Sequence, residues 1–110
     1  MEFETETIGD DIVVVRGEGR LNMASGPQLK QTVQNALQSG RVRVVVDLSR
    51  IPFMDSSGLV ALIAGLKAAR ERGGDLRIVS PSTQVAMVLK LSKVDAILPA
   101  HPSVEEAYGD

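Results

Sequence analysis

Val42-Arg43-Val44-Val45-Val46-Asp47-Leu48 is β-branched and nearly continuous, and Phe53-Met54-Asp55-Ser56-Ser57-Gly58-Leu59 follows it after one short connection. A half-exposed strand would alternate apolar with polar residues, so the unbroken run reads as a strand covered on both faces, in the middle of a sheet. Beyond Asp55, the apolar residues Leu59, Val60, Leu62, Ile63, Leu66 and Ala69 fit a helix from Ser56 to Arg72. Lys67, Arg70 and Arg72 favour its C-terminal end, and Gly73-Gly74 stops it. The unit is a buried strand that delivers two adjacent hydroxyls to the start of a helix.

Working upstream, Phe3 to Ile8 alternates with period two and sets Glu2, Glu4 and Glu6 on one side, as on a solvated edge strand. Gly9-Asp10-Asp11 provides a turn, and Ile12 to Arg16 reads as the hairpin partner. From Ser25 to Ser39, Leu29, Val33, Ala36 and Leu37 have helical spacing, with Pro27 in the first turn and Gly40 as the stop. Downstream, Leu76 to Val79 is a short strand, and Ser80-Pro81-Ser82 opens a helix through Leu91. Ala96 to Leu98 is a weak final strand closed by Pro99. Ser103 with Glu106 three residues later has the pattern of a capping box for a terminal helix. The predicted fold class is α/β in the order β-β-α-β-α-β-α-β-α. It is one domain over residues 1–110, with a mixed β-sheet of four to five strands and about four helices.

Composition agrees with one domain: 110 residues, 44% of them hydrophobic, can bury a single core, and aromatics at 3% leave that core to Val, Leu, Ile, Ala and Met. A net charge of −2, with 12 basic residues scattered among 14 acidic ones, supplies no broad field for a polyanion, so no direct nucleic-acid partner is expected. With no Cys and one His, the usual thiolate and imidazole ligand sets cannot be assembled; no metal or other cofactor is expected. The acidic start Met1 to Glu6 is unlike a secretory signal. The longest apolar or glycine run, Gly58 to Leu66, falls well short of the ~20 residues that span a bilayer. A cytoplasmic protein without a membrane partner is the expectation.

Asp55-Ser56-Ser57 at a strand-to-helix junction resembles a nucleophile turn in outline. It lacks the leading Gly of Gly-x-Ser-x-Gly, and His101, flanked by Pro102, has no evident route to Ser56. No catalytic residue and no enzyme activity are predicted. Phosphate-cradling glycine motifs and kinase signatures are also absent, so any phosphate would have to be delivered by another protein. The start of a helix gathers unpaired N–H groups and the positive end of its dipole, where a phosphorylated Ser56 would be tolerated. On residue types alone the plainer alternative is that Asp55 or Ser56 merely caps the helix, worth about 1 kcal/mol. The two readings are compatible.

Phe53-Met54-Asp55-Ser56-Ser57-Gly58-Leu59 after the Val-rich strand resembles the signature segment of the anti-sigma factor antagonists, the STAS domain family. Gly19-Arg20-Leu21-Asn22 is similar to that family's Gly-x-Leu-Asp segment, and Gly73-Gly74-Asp75-Leu76 to its turn into the next strand. The resemblance implies that Ser56 is phosphorylated by a partner that is both anti-sigma factor and Ser/Thr kinase, and that a metal-dependent Ser phosphatase reverses it. It implies further that only the unphosphorylated form binds the anti-sigma factor. The implied partner-binding residues are Arg20, Asn22, Met54, Asp55, Ser56, Ser57 and Gly58. Asn22 departs from the family's usual Asp, keeping hydrogen-bonding capacity but losing a charge, and it is equally readable as a turn or capping residue. The alternative within the same family is an unphosphorylated scaffold subunit of a lipid-transporting ATPase complex.

Overall fold

In the computed structural model, which describes residues 1–109, Phe3–Ile8 (β1) and Ile12–Gly17 (β2) form an antiparallel hairpin with Ile8 opposite Ile12. The tight connection needs a left-handed residue, which Gly9 supplies at φ +64°. The final residue of the expected 1–110 domain lies outside the described residues. Arg43–Asp47 (β3), Asp75–Val79 (β4) and Ala100–His101 (β5) continue the sheet in parallel, giving the order β1-β2-β3-β4-β5. The expected mixed sheet is present, with β3 at its centre.

Three helices connect the parallel strands: Gly26–Gln38 (α1), Ser56–Glu71 (α2) and Thr83–Leu91 (α3). Strands added one after another in a single direction carry their crossovers on one side when each has the same hand. Accordingly Val13, Val15, Val44, Val46, Leu76 and Ile78 face one core with Leu29 and Val33 of α1, Leu62 and Leu66 of α2, and Val85 and Leu89 of α3. The opposite face is covered more thinly, where Val14, Val45 and Val79 meet Val104, Ala107 and Tyr108 around the short helix Val104–Ala107 (α4). Both faces of β3 are buried, as its uninterrupted valines predict. Glu6 on the edge strand pairs with Arg16, and Arg16 in turn with Asp47, on the solvent side of the sheet. Among the described residues no helix is long and apolar enough to cross a membrane.

Two local expectations are corrected. Ala96 to Leu98 is not a strand: Val94–Ala96 forms a 3₁₀ turn, and the Leu98 N–H bonds to the Val94 carbonyl at 2.8 Å. Val94 and Leu98, four residues apart, both plug the core, so the apolar trio completes a helical turn. Pairing begins only after Pro99, at Ala100 and His101 beside Ile78 and Val79. The capping box at Ser103 is also not formed, since its side chain caps nothing and Glu106 is held only through its N–H to the Ser103 carbonyl.

Tyr108 anchors the thinly covered face. Its hydroxyl lies 3.0 Å from the Val44 carbonyl and 2.9 Å from that of Asp75, and the Arg77 guanidinium stacks on its ring at 4.3 Å. Burial, reinforced by the Asp75 carboxylate, pushes the phenol above the usual tyrosine range. The folded state therefore favours the neutral phenol, and the contribution holds below about pH 10 and is lost as pH rises beyond it. Tyr108→Phe is expected to cost about 1 kcal/mol at neutral pH, and the gap from the wild type should narrow in alkali. Tyr108 is the single Tyr, with no Trp present, so phenolate absorbance reads this one group. Native-state titration in the ordinary tyrosine range would contradict the assignment.

Candidate functional site

Two loops that follow parallel strands are joined edge to edge. The Leu21 N–H bonds to the Phe53 carbonyl at 2.9 Å and the Asp55 N–H to the Leu21 carbonyl at 3.2 Å, so Leu21 and Met54 pair as an isolated parallel bridge. A third element closes the unit: Gln84, in the first turn of α3, accepts from the Met54 N–H at 2.8 Å and donates to the Met54 carbonyl at 3.1 Å. Ser82 caps that helix by accepting from the Val85 N–H. The segment before Ser56 is thus held from both sides.

Asp55 is the N-cap of α2. Its extended backbone lets Oδ1 accept from the N–H groups of Ser57 at 2.9 Å and Gly58 at 3.1 Å, satisfying two of the helix's otherwise orphaned donors. The plainer reading of this junction as a cap is therefore realised by Asp55, and Ser56 is left as the first helical residue with its side chain exposed. Asp55→Ala is expected to lower stability by about 1–2 kcal/mol, with Asp55→Asn recovering most of it because the amide oxygen accepts the same bonds. Urea unfolding of the three proteins checks this. Equal stability of Ala and wild type would remove the cap from the account.

Asn22 closes the turn that leads into α1. Its Oδ1 accepts from the N–H groups of Ala24 at 2.9 Å and Ser25 at 3.2 Å, while its own N–H donates to the Ser25 Oγ, which donates to the Arg20 carbonyl. One amide oxygen does this work, so the missing charge of an Asp is not required for the turn. Arg20 is exposed, with its guanidinium over the Phe53 ring at 5.3 Å.

Met54 and Gly58 lie beneath this surface, both buried and Met54 at 0% exposure. A Cβ on Gly58 would sit 2.5 Å from the Leu21 carbonyl oxygen and 2.8 Å from the Met54 Cγ. They support the site from beneath, Met54 as one residue of the bridge itself and Gly58 packed under the Leu21 carbonyl. The exposed surface combines Arg20, Ser56 and Ser57 with residues that the motif did not single out. Ser56 and Ser57 line a groove of about 400 Å³ between α1 and α2, with Met23, Pro27, Lys30 and Val60. Met23 is 78% and Val60 64% exposed. Their pairing depends on how two helices pack, and no local pattern announces it; the Gln84 clasp likewise joins residues 30 apart.

Among the described residues, Ser56, Asp55 and His101 are not brought together as a triad. The Asp55 carboxylate is committed to N–H groups of its own helix, and His101 lines a different cleft with Arg70, Asp75 and Pro99.

Comparison with known proteins places this architecture. The STAS domain profile matches residues 2–107. A Thermotoga maritima protein described as a candidate anti-sigma factor antagonist is 30% identical over 91% of this chain and 89% of its own length. The anti-sigma-B factor antagonist of Staphylococcus epidermidis is 26% identical over 96% of this chain and 98% of its own. Among solved structures, an anti-sigma factor antagonist from Mycobacterium paratuberculosis superposes with a TM-score of 0.83 at 25% identity, covering 96% of this chain and 88% of that one. The fold, the bridged loops leading into α2 and the match over nearly the whole chain together place this protein in the STAS domain family.

Proposed function

We propose that this chain is an anti-sigma factor antagonist whose binding state is set by phosphorylation of Ser56. In this reading the unphosphorylated form binds an anti-sigma factor that is also a Ser/Thr kinase, and so releases a sigma factor. The kinase phosphorylates Ser56 and the complex parts, and a metal-dependent Ser phosphatase restores the binding form. The names carried by the relatives from Staphylococcus epidermidis and Thermotoga maritima support the class of partner.

The observation that carries the proposal is the placement of Ser56. It is exposed, heads a helix already capped by its neighbour, and borders an open groove with exposed Met23 and Val60. A phosphate there adds roughly −1.5 to −2 charges and three acceptor oxygens outside the core, so the surface changes and the fold does not. Within an interface whose partner surface supplies no countercharge, the same dianion brings desolvation cost and repulsion from neighbouring carboxylates, Asp55 among them. This is control by altered recognition.

The test is incubation with ATP and an anti-sigma factor that carries Ser/Thr kinase activity, followed by mass spectrometry and a binding titration. A complex with the unmodified chain and phosphate on Ser56 are expected. Phosphate on another residue, or no complex before modification, would overturn the proposal.

A further inference from the structure

Lys30 is the one charged residue lining the groove that Ser56 borders, and among the described residues it enters no ion pair. α1 and α2 both connect adjacent parallel strands, so they run in the same direction, side by side. They approach closely at their N-terminal ends, where a Cβ on Gly26 would lie 3.4 Å from the Ser57 carbonyl oxygen and 3.5 Å from the Ala61 Cβ. Lys30 stands one turn beyond Gly26 on the same face of α1, opposite the small residues Ala61 and Ala64 that leave the groove open. Side chains on a helix lean toward its N-terminus, so the Lys30 stem leans back along the groove toward the Ser56 end.

From this we infer that Lys30 is the intramolecular countercharge of phosphorylated Ser56. Its ammonium and the phosphate close the mouth of the groove from opposite helices. The inference rests on Ser56 as the modified residue and adds a second effect to the switch: the phosphate repels a partner's carboxylates and also withdraws the groove's cation from any partner group that would pair with it. The charged groups of this surface are Lys30 from α1, the Asp55 carboxylate that precedes Ser56 and is turned onto the N–H groups of Ser57 and Gly58, and Arg20, held over the Phe53 ring on the bridged loop; of these only Lys30 lines the groove.

Phosphoserine installed at position 56 by genetic-code expansion tests this without any kinase. Phosphorus NMR titration reads the second phosphate ionisation, which lies near about 6 when unperturbed. The cap and the helix dipole are the same in every variant, so the difference between variants isolates Lys30. The expected result is a pKa about half a unit lower with Lys30 than in Lys30→Gln, with Lys30→Arg restoring the shift and added salt shrinking it. Lys30 is exposed, so the variants fold. Identical titration of Lys30 and Lys30→Gln proteins would overturn the inference. A kinase that leaves Ser56 unmodified would instead overturn the proposed function, and the two failures are read in separate experiments.

Discussion

Gly58→Ala is expected to lower the stability of the domain by about 2–3 kcal/mol, although alanine is the better helix former by about 1 kcal/mol. The added methyl would meet the Leu21 carbonyl oxygen at 2.5 Å, the Met54 Cγ at 2.8 Å and the Leu21 Cγ at 2.9 Å. The first of these is backbone and is fixed, because that carbonyl accepts the Asp55 N–H and the adjoining Leu21 N–H is tied to Phe53. Relief would require parting the two bridged loops or tilting the start of α2, and either moves Ser56. A loss of this size is a large share of the about 5–15 kcal/mol that holds a typical domain. It corresponds to a melting temperature lower by roughly 10 °C or more. Urea unfolding of Gly58→Ala beside Ser57→Ala measures it. Equal midpoints would mean that the contact between α2 and Leu21 does not constrain the site.

The second large effect falls on recognition and leaves stability alone. Ser56→Asp is expected to weaken binding of the anti-sigma partner about tenfold, and phosphate at the same position about a hundredfold or more, while Ser56→Ala stays within a few-fold of the wild type. The graded order follows from charge: a carboxylate carries one negative charge and a phosphate close to two. All three should unfold within about 0.5 kcal/mol of the wild type, because Ser56 is exposed and Asp55 carries out the capping. Calorimetric titration against the partner separates the outcomes. Tight binding by the aspartate variant together with loss of binding by the alanine variant would invert the proposed sign of the switch.

The parts legible in the sequence are those decided by local pattern. The three consecutive valines of β3 announce a strand buried on both faces, and the residues that cover it from either side are present. Helix α2 is equally plain, with its apolar period, basic C-terminal turn and acidic cap. The last strand was not legible, because its two residues are neither β-branched nor apolar in pattern, whereas the preceding Ala96-Ile97-Leu98 is apolar but serves a helical turn. Pro99 stands before the pairing and not after it.

For the site, the motif located Ser56, Asp55 and Asn22 but not their depth. Met54 and Gly58 stand two residues to either side of exposed Ser56 and yet are buried, since two residues along the chain are enough to exchange surface for interior. Lys30, Met23 and Val60 belong to the groove only because α1 and α2 pack through Gly26, Ser57 and Ala61. Gln84 reaches Met54 from the next helix. Such residues are brought together by tertiary packing, which a single sequence encodes without displaying.

A switch that acts through charge on an unmoving scaffold is tested most directly on one sample, by measuring partner affinity and backbone amide NMR shifts before and after stoichiometric phosphorylation of Ser56. The expected result is an affinity lower by about two orders of magnitude, with shifts confined to the start of α2, the facing turn of α1 and the bridged loops. Unchanged affinity, or shifts spread through the sheet as the domain loosens, would contradict it.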